Sequence, residues 1–186
     1  MLPRHRLYST GLALAIAFTW LLVVLRVQPW PFSDYGVFLA VAQRLNAGNV
    51  LYQGVWDNKD PFVYYSIALL QNVGQPALWL LEAGWFALAS VAVYAISRNS
   101  ELSSRWSLLI AGVLVPVALI PFHYFPGTTH VPGVALSLSV IATYWAHRYA
   151  LSGIALGFLV FFKLSMLPLA VVPLVILVIR HRAIRS

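Results

Sequence analysis

The 186-residue chain contains no cysteine. Disulfides, thiolate metal centres and a cysteine nucleophile are therefore excluded. Charge is scarce, at 9% of residues, against roughly 25% in a soluble domain. Only five residues are acidic, and the only lysines are Lys59 and Lys163. No polar stretch is long enough to enclose a soluble core. No segment repeats, so the internal symmetry of many transporters has no counterpart here. What the chain has is apolar surface: 61% of residues are hydrophobic and the mean hydropathy is +0.81. That balance puts it in the membrane class. A net charge of +7 would suit nucleic acid if the basic residues shared a face. They sit instead at the ends of apolar runs, which is how membrane topology is written.

A spanning helix needs about 20 apolar residues. Runs at 8–27, 76–96, 106–122, 131–145, 149–162 and 164–179 give about six spans in one all-α integral membrane module covering 1–186. The basic start MLPRHR is followed by no small-residue cleavage site, so the first run reads as an uncleaved span. The last two runs also read as one re-entrant pair. With six spans, Arg4 and Arg6, Arg98 and Arg105, His147 and Arg148, and Arg180, Arg182 and Arg185 all fall on one side. The positive-inside rule makes that side cytoplasmic, with both termini there, in a cytoplasmic (inner) membrane. Lys163 and the loops at 28–65 and 122–130 then face outward.

Three of the five acids, Asp34, Asp57 and Asp60, lie in the first outer loop. Pro29 and Pro31 end the first span. Ser33 or Asp34 can cap a new helix over 34–47. Phe38, Val41, Ala42 and Leu45 share one of its faces and Gly48 suits its left-handed stop, which predicts an amphipathic helix in the membrane interface. Tyr52, Trp56, Tyr64 and Tyr65 suit an aromatic belt at headgroup depth. Asp34 at that helix start serves either as a plain cap or, ionised beside the dipole, as a general base or cation ligand. Lys59 is either a surface lysine paired with Asp57 or Asp60, or a phosphate contact. Glu82, inside the second span, should face protein rather than lipid, as a structural partner.

The order DYG, helix, NAGNVLY and WDNKDPFVYY resembles the first outer loop of GT-C glycosyltransferases. These polytopic enzymes take a sugar from a polyprenyl- or dolichyl-phosphate donor, and protein mannosyltransferases and aminoarabinose transferases are examples. Asp34 and Gly36 match the family's acid-plus-glycine element. The stretch 45–52 matches its glycine-containing turn, and Lys59, Pro61, Tyr64 and Tyr65 match its Lys-Pro-Pro-like patch and aromatic re-entry. GIALGFLVFFKLSMLPL is similar to its glycine-rich span ending in lysine, here Lys163. The resemblance implies that Asp34 is the catalytic base and that Lys59 contacts the lipid phosphate. Asp57, Asp60, Tyr64, His123, His130 and Lys163 would line the substrate site. Asp60 stands where the family has its first proline, and Tyr35 where many members have a second acid. Family enzymes also carry further spans, so the resemblance implies a fragment, a truncated paralogue, or one half of a split enzyme whose second membrane chain supplies them.

No cofactor is fixed by the sequence. A divalent metal has candidate ligands in Asp34, His123 and His130, without a helical metal motif to support them. The expected activity is sugar transfer to an acceptor on the extracytoplasmic side, with the lipid-linked donor and membrane lipids as partners. The alternative is a non-catalytic polytopic protein acting as a lipid-carrier-binding or assembly partner.

Overall fold

A computed structural model describes residues 34–55, 59–119 and 129–185. The expected first span at 8–27 lies outside them, as do 56–58 and 120–128. The described residues are helical, with no strand among them. Helix α1 is Asp34–Asn46, α2 is Pro61–Gln71 and α3 is Gln75–Asn99. A short α4, Ser104–Leu109, passes through a π-helical turn, Ile110–Leu114, into α5, Val115–Leu119. Then come α6, His130–Trp145, and α7, Tyr149–Lys163. A 3₁₀ turn, Leu164–Met166, leads into α8, Leu167–Arg185.

The boundaries have local causes. Helix α1 stops where Gly48 takes φ 88°. The Gly48 N–H donates to the Leu45 carbonyl and the Asn49 N–H to the Arg44 carbonyl, each at 3.0 Å, the paired bonds of a Schellman stop. Pro61 opens α2 where a missing N–H costs nothing. Pro116 has no N–H and its ring would strike the carbonyl four residues back. The π turn just before it widens the helix, and the Val115 N–H reaches the Ile110 carbonyl.

Helices α1 and α2 pack side by side. Phe38 meets Tyr64 edge-on with ring centroids 5.7 Å apart, and Val41, Ala42, Val63, Ile67 and Ala68 complete the cluster. The Asn46 side-chain amide donates to the Ala68 carbonyl at 3.0 Å. Phe38 against Tyr64 and Asn46 against Ala68 make the two helices parallel. The apolar face of α1, expected to lie on lipid, is therefore covered by protein. Burying each such large side chain contributes about 1.5–3 kcal/mol.

The other helices form the bundle. Ala83, Phe86 and Ala89 of α3 share a core with Leu119 of α5 and with Val131 and Ala135 of α6. Thus α3 and α6 run parallel, and the α4–α5 segment runs back against them. Small residues on both faces let the backbones approach closely. Helix α6 folds onto α7 in a hairpin, where the Ser152 hydroxyl donates to the Val140 carbonyl at 3.0 Å. Glu82 is 2% exposed, so it faces protein, as expected.

Among the described residues two stretches are long and apolar enough to cross a membrane, Gln75–Asn99 and Tyr149–Ile179. Six spans are not shown. The second stretch turns back on itself, because Lys163 leaves helical geometry at φ −163°, ψ 77°. Were it straight, Leu177 would stand about 42 Å from Tyr149 at 1.5 Å per residue. It lines a cavity with Tyr149 instead, so α8 returns beside α7. The most apolar window of this stretch is only 11% buried inside the protein.

These directions sort the charges to two ends of the bundle. Lys59, Asp60, His130 and Lys163 belong to one end. Arg98, Glu101, Arg105, His147 and Arg148 belong to the other.

Candidate functional site

The first end is assembled from three distant segments. Asp60 sits at the N-cap of α2 in extended geometry, φ −67° and ψ 145°, yet makes no side-chain cap bond to its own helix. Its carboxylate instead accepts from the backbone N–H of Leu164 at 3.4 Å. That N–H is available because Lys163 breaks α7 one residue earlier. Asp60 thereby ties the start of α2 to the α7–α8 turn, a link 104 residues apart in sequence.

The turn is pressed on α6 in its turn. A Cβ on Gly133 would stand 2.9 Å from Met166 Cγ and 3.1 Å from Lys163 Cβ. Only glycine lets the Lys163 stem lie there without displacement. The Ser137 hydroxyl donates to the Gly133 carbonyl at 2.8 Å and approaches the Met166 carbonyl at 3.5 Å. His130 lies one turn before Gly133, at the first position of α6. Pro132 and Gly133 are in the first turns of this helix. Proline is tolerated there because the first N–H groups of a helix have no partner within it.

Lys59 is half-buried, and its carbonyl accepts from the Tyr52 hydroxyl at 2.6 Å. That bond closes the loop leading from α1. Tyr64, expected to contact substrate, is 0% exposed. Its ring is packed on Phe38 and belongs to the core under the site. Tyr65 is exposed. Helix α1 begins at Asp34, and the register of Phe38 on Tyr64 puts backbone position 34 level with position 60. The side chain of Asp34 lies outside the described residues, as do Asp57 and His123.

Beside this end runs an open apolar groove of about 230 Å3 lined by Phe62, Ile154, Gly157, Phe158 and Phe161. Phe62 stacks on Phe158 at 5.5 Å and meets Phe161 edge-on at 5.4 Å. Gly157 leaves open space above the backbone. Phe62 follows Lys59 by three residues, and Phe161 precedes Lys163 by two. The groove therefore starts at the charged end and continues along α7.

Sequence reasoning missed Gly133, Ser137 and the Leu164 N–H. They carry no charge, and their part depends on which helices meet. Among the described residues no group of three His, Asp or Glu could hold a metal ion. The donor set expected for one, Asp34, His123 and His130, is described only at His130. Comparison with models of known families, with curated proteins and with solved structures finds no match. What fold and site define together, among the described residues, is an all-helical bundle with two apolar stretches long enough to cross a membrane and a mixed-charge cluster at one end.

Proposed function

We propose that the chain is the membrane module of a glycosyltransferase that takes a sugar from a polyprenyl-phosphate donor on the extracytoplasmic side. One observation carries the reading. Lys59, Asp60, His130 and Lys163, drawn from segments more than 30 residues apart at their nearest, gather at one bundle end beside an apolar groove. A lipid-linked sugar phosphate has the matching parts: an anion for the lysines, a hydrocarbon chain for the groove and a polar sugar for the solvent side. The barely covered apolar stretch Tyr149–Ile179 supports a multi-pass membrane location.

The chemistry asks little of the protein beyond position and charge. An acceptor hydroxyl oxygen forms the new bond to the anomeric carbon as the bond from that carbon to the phosphate oxygen breaks. The polyprenyl phosphate leaves with the electron pair, and the acceptor's proton passes to the Asp34 carboxylate, the general base. Lys59 and Lys163 balance the charge left on the phosphate.

The test is transfer of radiolabelled sugar from a polyprenyl-phosphate donor by the purified chain, wild type against Lys59→Met and Lys163→Met. Slower transfer with a raised donor KM in both variants is expected. Unchanged donor dependence in both would overturn the reading. The groove by itself favours a second one, a lipid-carrier-binding partner without turnover. Tight donor binding with no transfer would select it.

A further inference from the structure

The opposite end of the bundle has a cavity of its own, separate from the Asp60 cluster. It measures about 40 Å3 and is lined by Tyr144, Trp145, His147, Tyr149 and Leu177. Helix α6 ends at Trp145 and reverses into α7 through a Schellman stop. The His147 N–H donates to the Tyr144 carbonyl at 2.9 Å, and the Arg148 N–H to the Thr143 carbonyl at 2.8 Å. The left-handed position of that stop, usually glycine, is filled by His147 at φ 59°. A ring is thus held where the turn itself asks for none. Backbone strain of this kind points toward function when its side chain has a defined job.

The job is visible in the ring geometry. His147 Nδ1 and the Tyr149 hydroxyl are 2.9 Å apart in a hydrogen bond. The His147 and Tyr149 rings stand at 82° with centroids 6.0 Å apart. Tyr144 and Tyr149 stand at 62° and 5.3 Å. Rings set at such angles form walls rather than a stack. Trp145 adds a further aromatic wall, and Leu177, returning on α8, adds an aliphatic one.

Aromatic walls attract cations through the negative faces of their rings, and they favour weakly hydrated cations such as methylated ammonium groups. A cavity of about 40 Å3 has room for about three waters, or for one compact group with methyl substituents. A bare cation would be opposed by Arg148, which sits in the turn between His147 and Tyr149 and is exposed. A ligand with its own anion would not. A group with a methylated ammonium at one end and a phosphate close behind satisfies both features.

We infer that this cage at the α6–α7 turn binds a phosphocholine group, with the trimethylammonium against Tyr144, Trp145 and Tyr149 and the phosphate toward Arg148. The group comes either from a lipid headgroup or from a soluble phosphocholine compound. The site is independent of sugar transfer, and its readout is binding.

The full chain in detergent is titrated calorimetrically with phosphocholine and with phosphoethanolamine, which lacks the methyl groups. The wild type should prefer phosphocholine about tenfold, the worth of one to two cation–π contacts. Trp145→Leu and Tyr144→Leu should each lose most of that preference. Arg148→Gln should weaken phosphocholine several-fold while strengthening tetramethylammonium, from which it removes a like charge. Equal wild-type affinity for the two phosphates overturns the proposal without any variant. So does an unaltered preference in Trp145→Leu. Native mass spectrometry from nanodiscs of mixed phosphatidylcholine and phosphatidylethanolamine separates the sources. Retained phosphatidylcholine assigns a lipid headgroup, and binding of soluble phosphocholine alone assigns a soluble ligand. Binding of neither overturns the site.

Discussion

The two ends of the bundle are built by different means. At the Asp60 end the contacts are long-range: Asp60 to Leu164 spans 104 residues and Ser137 to Met166 spans 29. At the Arg98 end the charged side chains bond locally, and Leu177 is the distant residue that reaches its cavity. Arg98 donates to the Leu102 carbonyl four residues on at 2.8 Å, and His147 bonds Tyr149 two residues on. The first end therefore exists only when the whole bundle is assembled, whereas the second is mostly turn chemistry. Charge does not separate them in kind, since Glu101 lies in the turn between Arg98 and Arg105; the first end differs in drawing its acid and bases from distant segments. An anion requiring several groups in concert is suited to the first end.

The sharpest way to break this comparison is at the proposed base. Asp34→Asn should lower transfer by about 10²–10⁴-fold, the range for removing a general base. Donor binding, measured separately, should stay within about twofold, since the phosphate is assigned to Lys59 and Lys163. Arg148→Gln, at the other end, should leave transfer unchanged. Equal loss in both variants would mean that the two ends are not functionally separate.

Next in size is the packing of the α7–α8 turn on α6. Gly133→Leu must displace Met166 and the Lys163 stem, and overpacking of this kind costs about 1–3 kcal/mol. Thermal unfolding in detergent should shift down accordingly. Gly153→Ala is the contrast, because a Cβ there meets nothing within 4 Å. That substitution should stabilise by about 0.5–1 kcal/mol through helix propensity alone. A Gly133→Leu protein as stable as wild type would show that the turn is not pressed on α6.

Much of the helical layout is legible in the sequence because its causes are local. The stripe of Phe38, Val41, Ala42 and Leu45, the stop at Gly48 and the break at Lys163 each follow from spacing or backbone chemistry within a few residues. What covers the α1 stripe is not local. An apolar face reads the same whether lipid or another helix lies on it, so the partnership with α2 and the burial of Tyr64 were hidden. The site was legible only in its charged members. Lys59, Asp60, His130 and Lys163 announce themselves in a chain with so little charge. Gly133 and the Leu164 N–H do not, since a glycine or a backbone amide acquires a role only from its neighbours across the fold.

The smallest effects test the means of construction directly. Asp60→Ala leaves the Leu164 N–H without its acceptor, but the bond is exposed and 3.4 Å long, and water can replace the lost partner. A stability loss of about 0.5–1 kcal/mol is expected, near the low end for a hydrogen bond. Arg98→Ala removes an equally exposed bond within one turn, and surface changes of that kind stay within about 0.5 kcal/mol. The two variants should diverge in transfer rather than in stability. Asp60 holds the α2 start against the α7–α8 turn, so its loss lets Lys59 and Lys163 drift apart and should raise the donor KM. Arg98 holds only its own turn, and its loss should leave KM alone. A raised KM in Arg98→Ala with none in Asp60→Ala would reverse the assignment of the long-range contact to the working end.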